Sequence, residues 1–262
     1  MKNWLICSIL LTFFFAAPAR GDVSVVIAKV KPSVVIVGTF KPTNSPRFTL
    51  RGTGFVVGQD RASMGNLVIT NAHVLAQPAE LDPEAVLVVQ IRVRQGEWQM
   101  RLATVVEVDK AHDLALLRFE GPAVSALTVG DSDQVREGQA VAFMGFPIGG
   151  ALGFSPVTHR GMVSSIAVAA LPAPTASQLN DKSIRTLRAA GDNFNIFQLD
   201  GTAYPGNSGG PLFDPDTGHV LGVVNMVAIK GIRESALTHP SGISYAIPSG
   251  FVQQLLERSR VR

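Results

Sequence analysis

Residues 204–212 read Tyr-Pro-Gly-Asn-Ser-Gly-Gly-Pro-Leu, and one question about them decides the fold: does the serine lead into a helix or into a strand? Gly206, Gly209 and Gly210 surround Ser208, and Pro205 and Pro211 close the stretch. Glycine is used where the backbone takes conformations closed to other residues, or where another group comes very close. In a plain turn the serine would bond only its own backbone. As a nucleophile it would need its flanking amides turned toward a ligand.

The pattern G-x-S-x-G also fits the nucleophile elbow of α/β-hydrolases, which requires strand, sharp turn and helix, with the acid and histidine downstream. Gly209, Gly210 and Pro211 oppose a helix after Ser208. The residues that follow, "PLFD" and "GHVLGVVN", read as a β-hairpin. His219 and His239 do lie downstream, but no alternating strand–helix pattern surrounds them. A strand follows the serine, and the fold class turns on that.

The rest of the chain agrees. Short apolar or alternating runs, divided by glycine, proline and polar turns, occupy Val34–Phe40, 51–57, 66–70, 86–93, 99–108 and Leu114–Phe119. A second series occupies Ala140–Gly145, 158–168, Phe194–Asp200, Pro211–Phe213, 220–228 and 242–247. This spacing of β-branched segments predicts an all-β fold of barrels or sandwiches. Helical patterns are confined to Val23–Val30 and 248–258. Residues 171–191 and 228–241 read as long loops, and 127–137 is placed to join two halves.

The chain has 262 residues, 46% of them hydrophobic, and a net charge of +3. That length can bury one sizeable core or two small ones. The basic residues are scattered, so no nucleic-acid partner is expected. Residues 1–19 read as an export signal: Lys2 gives the positive start, Leu5 to Ala17 the apolar run, and Ala17-Pro18-Ala19 the cleavage site. The mature part, residues 20–262, would then be periplasmic or secreted, with no stable membrane span; an uncleaved anchor is the alternative. The single cysteine, Cys7, lies inside that leader. The mature chain would therefore have no thiol nucleophile, disulfide or thiolate metal site. No His, Asp and Glu spacing suggests a metal, and no cofactor is expected.

Upstream of Ser208, "LVITNAHVL" sets His73 at the end of an apolar strand, and "HDLALLRF" sets Asp113 at the mouth of another. A serine hydroxyl is a weak nucleophile until an imidazole takes its proton. The imidazole in turn needs a carboxylate to hold its tautomer and stabilise its charge. Backbone amides must meet the developing oxyanion, and Gly206 and Ser208 can supply them. His112 and His159 read as structural or exposed.

"TNAHV", "HDLALL" and "PGNSGGPL", in that order, resemble the chymotrypsin-fold serine peptidases, and among these most nearly the protease domain of the HtrA (Deg) family. The resemblance runs through "RGTGFVV", "VTHRGMVSSI", "QLDGTAYPGNSGGPL" and "GISYAIPS". It implies two six-stranded antiparallel β-barrels, about 34–122 and 138–247, with the site between them. His73 would be general base, Asp113 its orienter and Ser208 the nucleophile, with Gly206, Asn207 and Ser208 lining the oxyanion hole. Substrates would be proteins or peptides; the family often forms trimers, which leaves the oligomeric state open between a monomer and a homo-oligomer, and an activating partner is open as well. Thr202 stands near the position where trypsin-like enzymes keep a selecting acid. With Tyr204, Val224, Asn225 and Met226 it is expected to wall a pocket for small or medium aliphatic side chains.

Departures from the family pattern are visible. The stretch after Ser208 is too short for the PDZ domains that usually follow, so no PDZ regulation within this chain is expected. Tyr204 stands where asparagine is common. Asn207 replaces the aspartate that pairs with a cleaved N-terminus in trypsin-type relatives, which argues against activation by pro-peptide removal. These differences keep a second reading open, a latent or non-enzymatic scaffold of the same fold.

Overall fold

The computed structural model describes residues 22–59, 62–75, 84–94, 96–147, 154–169, 194–225 and 243–260. The stretches expected to be a leader (1–19) and long loops (171–191 and 228–241), together with Met226, lie outside these residues. Fourteen strands and two helices are described, together with short 3-10 turns. The first strands are β1 (Val34–Phe40), β2 (Phe48–Val57), β3 (Met64–Gly65), β4 (Leu67–Asn71), β5 (Val86–Arg94), β6 (Glu97–Asp109), β7 (Leu114–Phe119) and β8 (Val124–Ser125). They are followed by β9 (Ala140–Gly145), β10 (Val157–Ala169), β11 (Phe194–Asp200), β12 (Pro211–Phe213), β13 (Val220–Asn225) and β14 (Ile243–Pro248). Helix α1 (Val23–Val30) precedes them and α2 (Ser249–Arg260) ends the described chain.

Two closed antiparallel barrels result, β1-β2-β4-β7-β6-β5 and β10-β11-β14-β13-β12-β9. The expected all-β architecture with short terminal helices is thus observed. Five strands have the bounds read from sequence, and the others differ at their ends. The two-residue pair β3 and β8 was not legible, because so short a segment has no period to read.

Strands β1, β4, β9 and β13 are apolar on both faces over most of their length, for a physical reason. Successive side chains on a strand point to opposite faces. On β1, Val35 and Val37 fill the first barrel, while Val34 and Ile36 point outward. The same division separates Val68 from Leu67 and Ile69 on β4, and Phe143 from Met144 on β9. The outward residues do not meet water. Phe55, Ile69, Leu116, Met144, Phe213 and Val223 join in one cluster between the barrels. Each barrel therefore has its own core, and a third core binds the two together. Burying one such large side chain contributes about 1.5–3 kcal/mol.

The connection read at 127–137 is a strap. Leu127 N–H donates to Val56 O in the first barrel, and Gly130 N–H to Val220 O in the second. Helix α1 begins at Asp22, whose carboxylate accepts Ser24 N–H at 2.9 Å, and it buries Val26 and Val30 one turn apart. Helix α2 buries Val252 and Leu255, and Ser249 and Gln253 donate to Gly130 O at 2.9 and 3.0 Å. The two barrels are thus fixed in relation to one another on several sides.

Candidate active site

Strand β4 ends at Asn71 and the chain enters a 3-10 turn, Ala72–Val74, which carries His73. Antiparallel pairing sets Asn71 opposite Leu114, so the residue just before β7, Asp113, arrives beside that turn. Asp113 takes φ 51, a left-handed conformation that is uncommon outside glycine and that aspartate tolerates better than most. Both of its oxygens then reach His73. Oδ1 accepts the main-chain N–H at 2.9 Å, and Oδ2 lies 2.5 Å from Nδ1. The Asp113 carbonyl accepts Ala72 N–H and the Asn71 amide, each at 3.0 Å.

A carboxylate only accepts, so Nδ1 is the donor in this pair, and the tautomer of the neutral ring that it selects is the one with its lone pair on Nε2. From the second barrel, the Asn225 amide donates to Asp113 Oδ2 at 2.8 Å.

The serine loop is shaped by two left-handed glycines. Asn207 N–H donates to Tyr204 O at 2.9 Å, closing a turn with Pro205 and Gly206 at its centre. Gly206 has φ 103, which with proline before it defines a type II turn. Gly209 has φ 87 and lies so close to the first barrel that a Cβ there would stand 2.1 Å from Thr53 O. It would also stand 2.4 Å from the Thr70 hydroxyl. The loop is therefore seated against the residues that lead into His73. Ser208 is 6% exposed, and its carbonyl accepts Thr53 N–H at 2.9 Å. No hydrogen bond joins its hydroxyl to His73 among the described residues.

Asn207 is fully buried, and neither side-chain atom has a hydrogen-bond partner among the described residues. Gly145 leaves room for it; a Cβ there would stand 2.7 Å from Asn207 Oδ1.

The pocket residues are divided. Thr202 and Tyr204 are half-buried on the segment after β11, which is anchored by the Ser244 hydroxyl: it accepts Ala203 N–H at 2.7 Å and donates to Gly201 O at 2.6 Å. Val224 is fully buried in the second barrel's core, so only its main chain reaches the loop, bonding Gly209 and Gly210. Asn225 has turned to Asp113, and Met226 lies outside the described residues. Behind Tyr204, His159 stacks on Phe143 at 4.8 Å, and burial holds its imidazole below the usual 6.5.

Beyond Asp113, the turn of β6 into β7 is tied to α2. Asp109 accepts His112 Nδ1 at 2.9 Å and Arg258 at 2.6 Å, while the His112 ring stacks on Phe251 at 3.8 Å. Burial pushes the Asp109 carboxyl up, but hydrogen bonds from His112 and Arg258 outweigh it and hold the group below its ordinary value.

Thr53 and Asn71 had no role in the sequence reading. The signal available for Thr53 was its place between Gly52 and Gly54. A Cβ at 52 would meet Val74 and Ser208 O within 2.6 to 2.9 Å, so that strand segment must lie against the serine loop.

Two barrels with a histidine–aspartate pair facing a glycine-rich serine loop define the trypsin-like class of peptidase folds. The family model described as trypsin-like peptidase domain matches residues 52–223, and the chain belongs to that family. Its relatives are HtrA-like. It is 30% identical over 220 residues to serine protease HTRA2, mitochondrial, of Drosophila virilis, covering 84% of this chain and 42% of that one. Against serine protease HTRA4 of Mus musculus it is 29% identical over 239 residues, covering 90% of this chain and 40% of the relative. The chain thus spans about two fifths of the length of these relatives. Among solved structures, the HtrA-type protease AlgW with a decapeptide shares the fold at a TM-score of 0.64 and 20% identity, over 92% of this chain and 68% of that one.

Among the described residues no helix is long and apolar enough to cross a membrane, and no group of three or more His, Cys, Asp or Glu could hold a metal ion.

Proposed function

We propose that the chain is an exported serine endopeptidase that hydrolyses peptide bonds through His73, Asp113 and Ser208, acting on unfolded or damaged proteins of the cell envelope. The observation that carries the reading is the two-point hold of Asp113 on His73, through the main-chain N–H and Nδ1. It leaves Nε2 as the free base.

In the reaction, Ser208 Oγ bonds to the scissile carbonyl carbon as its proton passes to His73 Nε2. The carbonyl oxygen gains the charge and is met by the N–H groups of Gly206 and Ser208, with Asn207 between them. The tetrahedral intermediate collapses, the C–N bond breaks, and Nε2 gives its proton to the departing amine. Water then attacks the acyl carbon, giving its proton to Nε2. The second collapse returns that proton to Ser208 and releases the acid. Asp113 stabilises the imidazolium in both halves without taking the proton. The Ser208-to-His73 bond forms as substrate arrives, as catalytic bonds often tighten only in the complex.

The leader at 1–19 supports export, and the stretch from Gly201 to Phe213, which carries no acid to select a basic residue, supports small or medium aliphatic residues before the cut bond. A homo-oligomer or an activating partner remains part of the proposal on the family's pattern.

The test is labelling of the purified protein with a fluorophosphonate, with Ser208→Ala as control. Labelling confined to the parent protein upholds the reading. A folded parent that does not label favours the latent scaffold.

A further inference from the structure

We infer that Thr53 is a positioning residue for the oxyanion-binding amides: its hydroxyl holds the Gly206 main chain in the orientation that stabilises the transition state. The inference rests on the proposed catalytic reading of Ser208 and goes beyond it to a residue in the other barrel.

Thr53 is on β2 in the first barrel and is fully buried. A threonine offers a main-chain donor, a main-chain acceptor and a hydroxyl that both donates and accepts. Each of these is committed at the site. Thr53 N–H donates to Ser208 O at 2.9 Å. Thr53 O accepts the Thr70 hydroxyl at 2.7 Å. Thr53 Oγ1 donates to Gly206 O at 2.6 Å and accepts Phe146 N–H at 3.1 Å. One residue therefore bonds the 206–207 peptide and the 208–209 peptide, on either side of the Asn207–Ser208 link, and it is itself held by both barrels.

The consequence is geometric. The two amides proposed to bind the oxyanion belong to Gly206 and Ser208. Between them, the 206–207 peptide is bonded at both ends, its N–H to Tyr204 O and its carbonyl to Thr53 Oγ1. Glycine gives this stretch unusual freedom, and φ 103 at Gly206 is one of several conformations it could take. Without the hydroxyl, one end of that peptide is released and the Gly206 amide one residue back is free to tilt. The stabilisation of a developing oxyanion depends on donors that are already oriented before charge appears. Ground-state binding of a peptide, made along the cleft, does not. Loss of the hydroxyl should therefore lower kcat and spare KM. The Phe146 bond makes the hydroxyl directional: accepting that N–H on one side leaves its proton aimed at Gly206.

The test compares Thr53→Val, which keeps the branched shape and removes the hydroxyl, with Thr53→Ser, which keeps the hydroxyl. In a protein that labels at Ser208, Thr53→Val is expected to lower kcat and the fluorophosphonate labelling rate by about a hundredfold, with KM within about threefold. Thr53→Ser is expected to restore both to within about fivefold of the parent. A folded Thr53→Val that keeps its labelling rate overturns the inference, as does a folded Thr53→Ser as slow as the valine variant. If Thr53→Val does not fold, Thr53→Ala takes its place as the variant without a hydroxyl, and the same two comparisons decide the inference.

Amide hydrogen exchange across residues 204–208 reads the same hold without catalysis. Faster exchange in Thr53→Val than in Thr53→Ser upholds the inference, and equal exchange overturns it. A parent that fails to label would count against the proposed function alone, and this exchange measurement would still decide the role of Thr53.

Discussion

The side-chain amide of Asn225, on the second barrel, donates at 2.8 Å to the Asp113 carboxylate that arrives from the first. The oxygen it reaches is the same Oδ2 that faces His73 Nδ1. The orientation of the pair therefore depends on how the two barrels are docked, as well as on the strand pairing within one of them.

Removing that donor tests the arrangement. A hydrogen bond to a charged group contributes about 1.5–3 kcal/mol, so Asn225→Ala should lower kcat by about tenfold to a hundredfold, with KM little changed. Steady-state kinetics on a peptide substrate would read both values. An unchanged kcat would mean that Asp113 holds His73 without help from the second barrel.

Gly209→Ala should fail more severely. The added Cβ would meet main-chain oxygen of Thr53 at 2.1 Å in a φ 87 conformation, and β2 cannot yield without breaking its ladder. Strain of this kind costs on the order of 1–3 kcal/mol before any clash is counted. A fall in thermal midpoint together with loss of labelling is the expected result. Full activity at an unchanged midpoint would show that the loop is not seated as described.

The Asp109 carboxyl is held below its ordinary value of 3.8. A lowered folded-state value stabilises the fold above the unfolded value and is lost as pH falls through the folded one. Asp109→Asn should therefore lower the thermal midpoint at neutral pH, and the gap from the parent should close as the pH drops below about 4. Midpoints of both proteins across that range would check it. A gap independent of pH would assign the effect to packing.

Asn207→Asp gives the opposite sign. The site is fully buried and offers the side chain no partner among the described residues, so an ionised carboxyl there would be strongly disfavoured and its pKa pushed up. The variant should be less stable than the parent at neutral pH and recover as acid protonates the new group. Equal midpoints at pH 7 would show that a counter-charge reaches Asn207 from residues not described.

What the sequence determined by itself was whatever is written locally. Strands such as Val34–Phe40 and Leu114–Phe119 were readable because a strand buried on both faces is a continuous apolar run between turn residues. His73, Asp113 and Ser208 were readable as candidates because each sits in a motif at a strand end. The glycines around Ser208 mark a special backbone in the sequence itself. The sequence did not show which face of each strand served which core. An alternation of two apolar residues looks the same whether both sides meet a barrel interior or one side meets a second barrel. Nor did it show that Asn225 would turn from the pocket wall to Asp113, that Thr53 would grip Gly206, or that Arg258 would reach Asp109. Those partners lie 112, 153 and 149 residues apart in the chain. A hydrogen bond over that separation leaves no period or spacing in the sequence, because its geometry exists only once closed barrels have docked. Tertiary structure alone decided the orientation of the site.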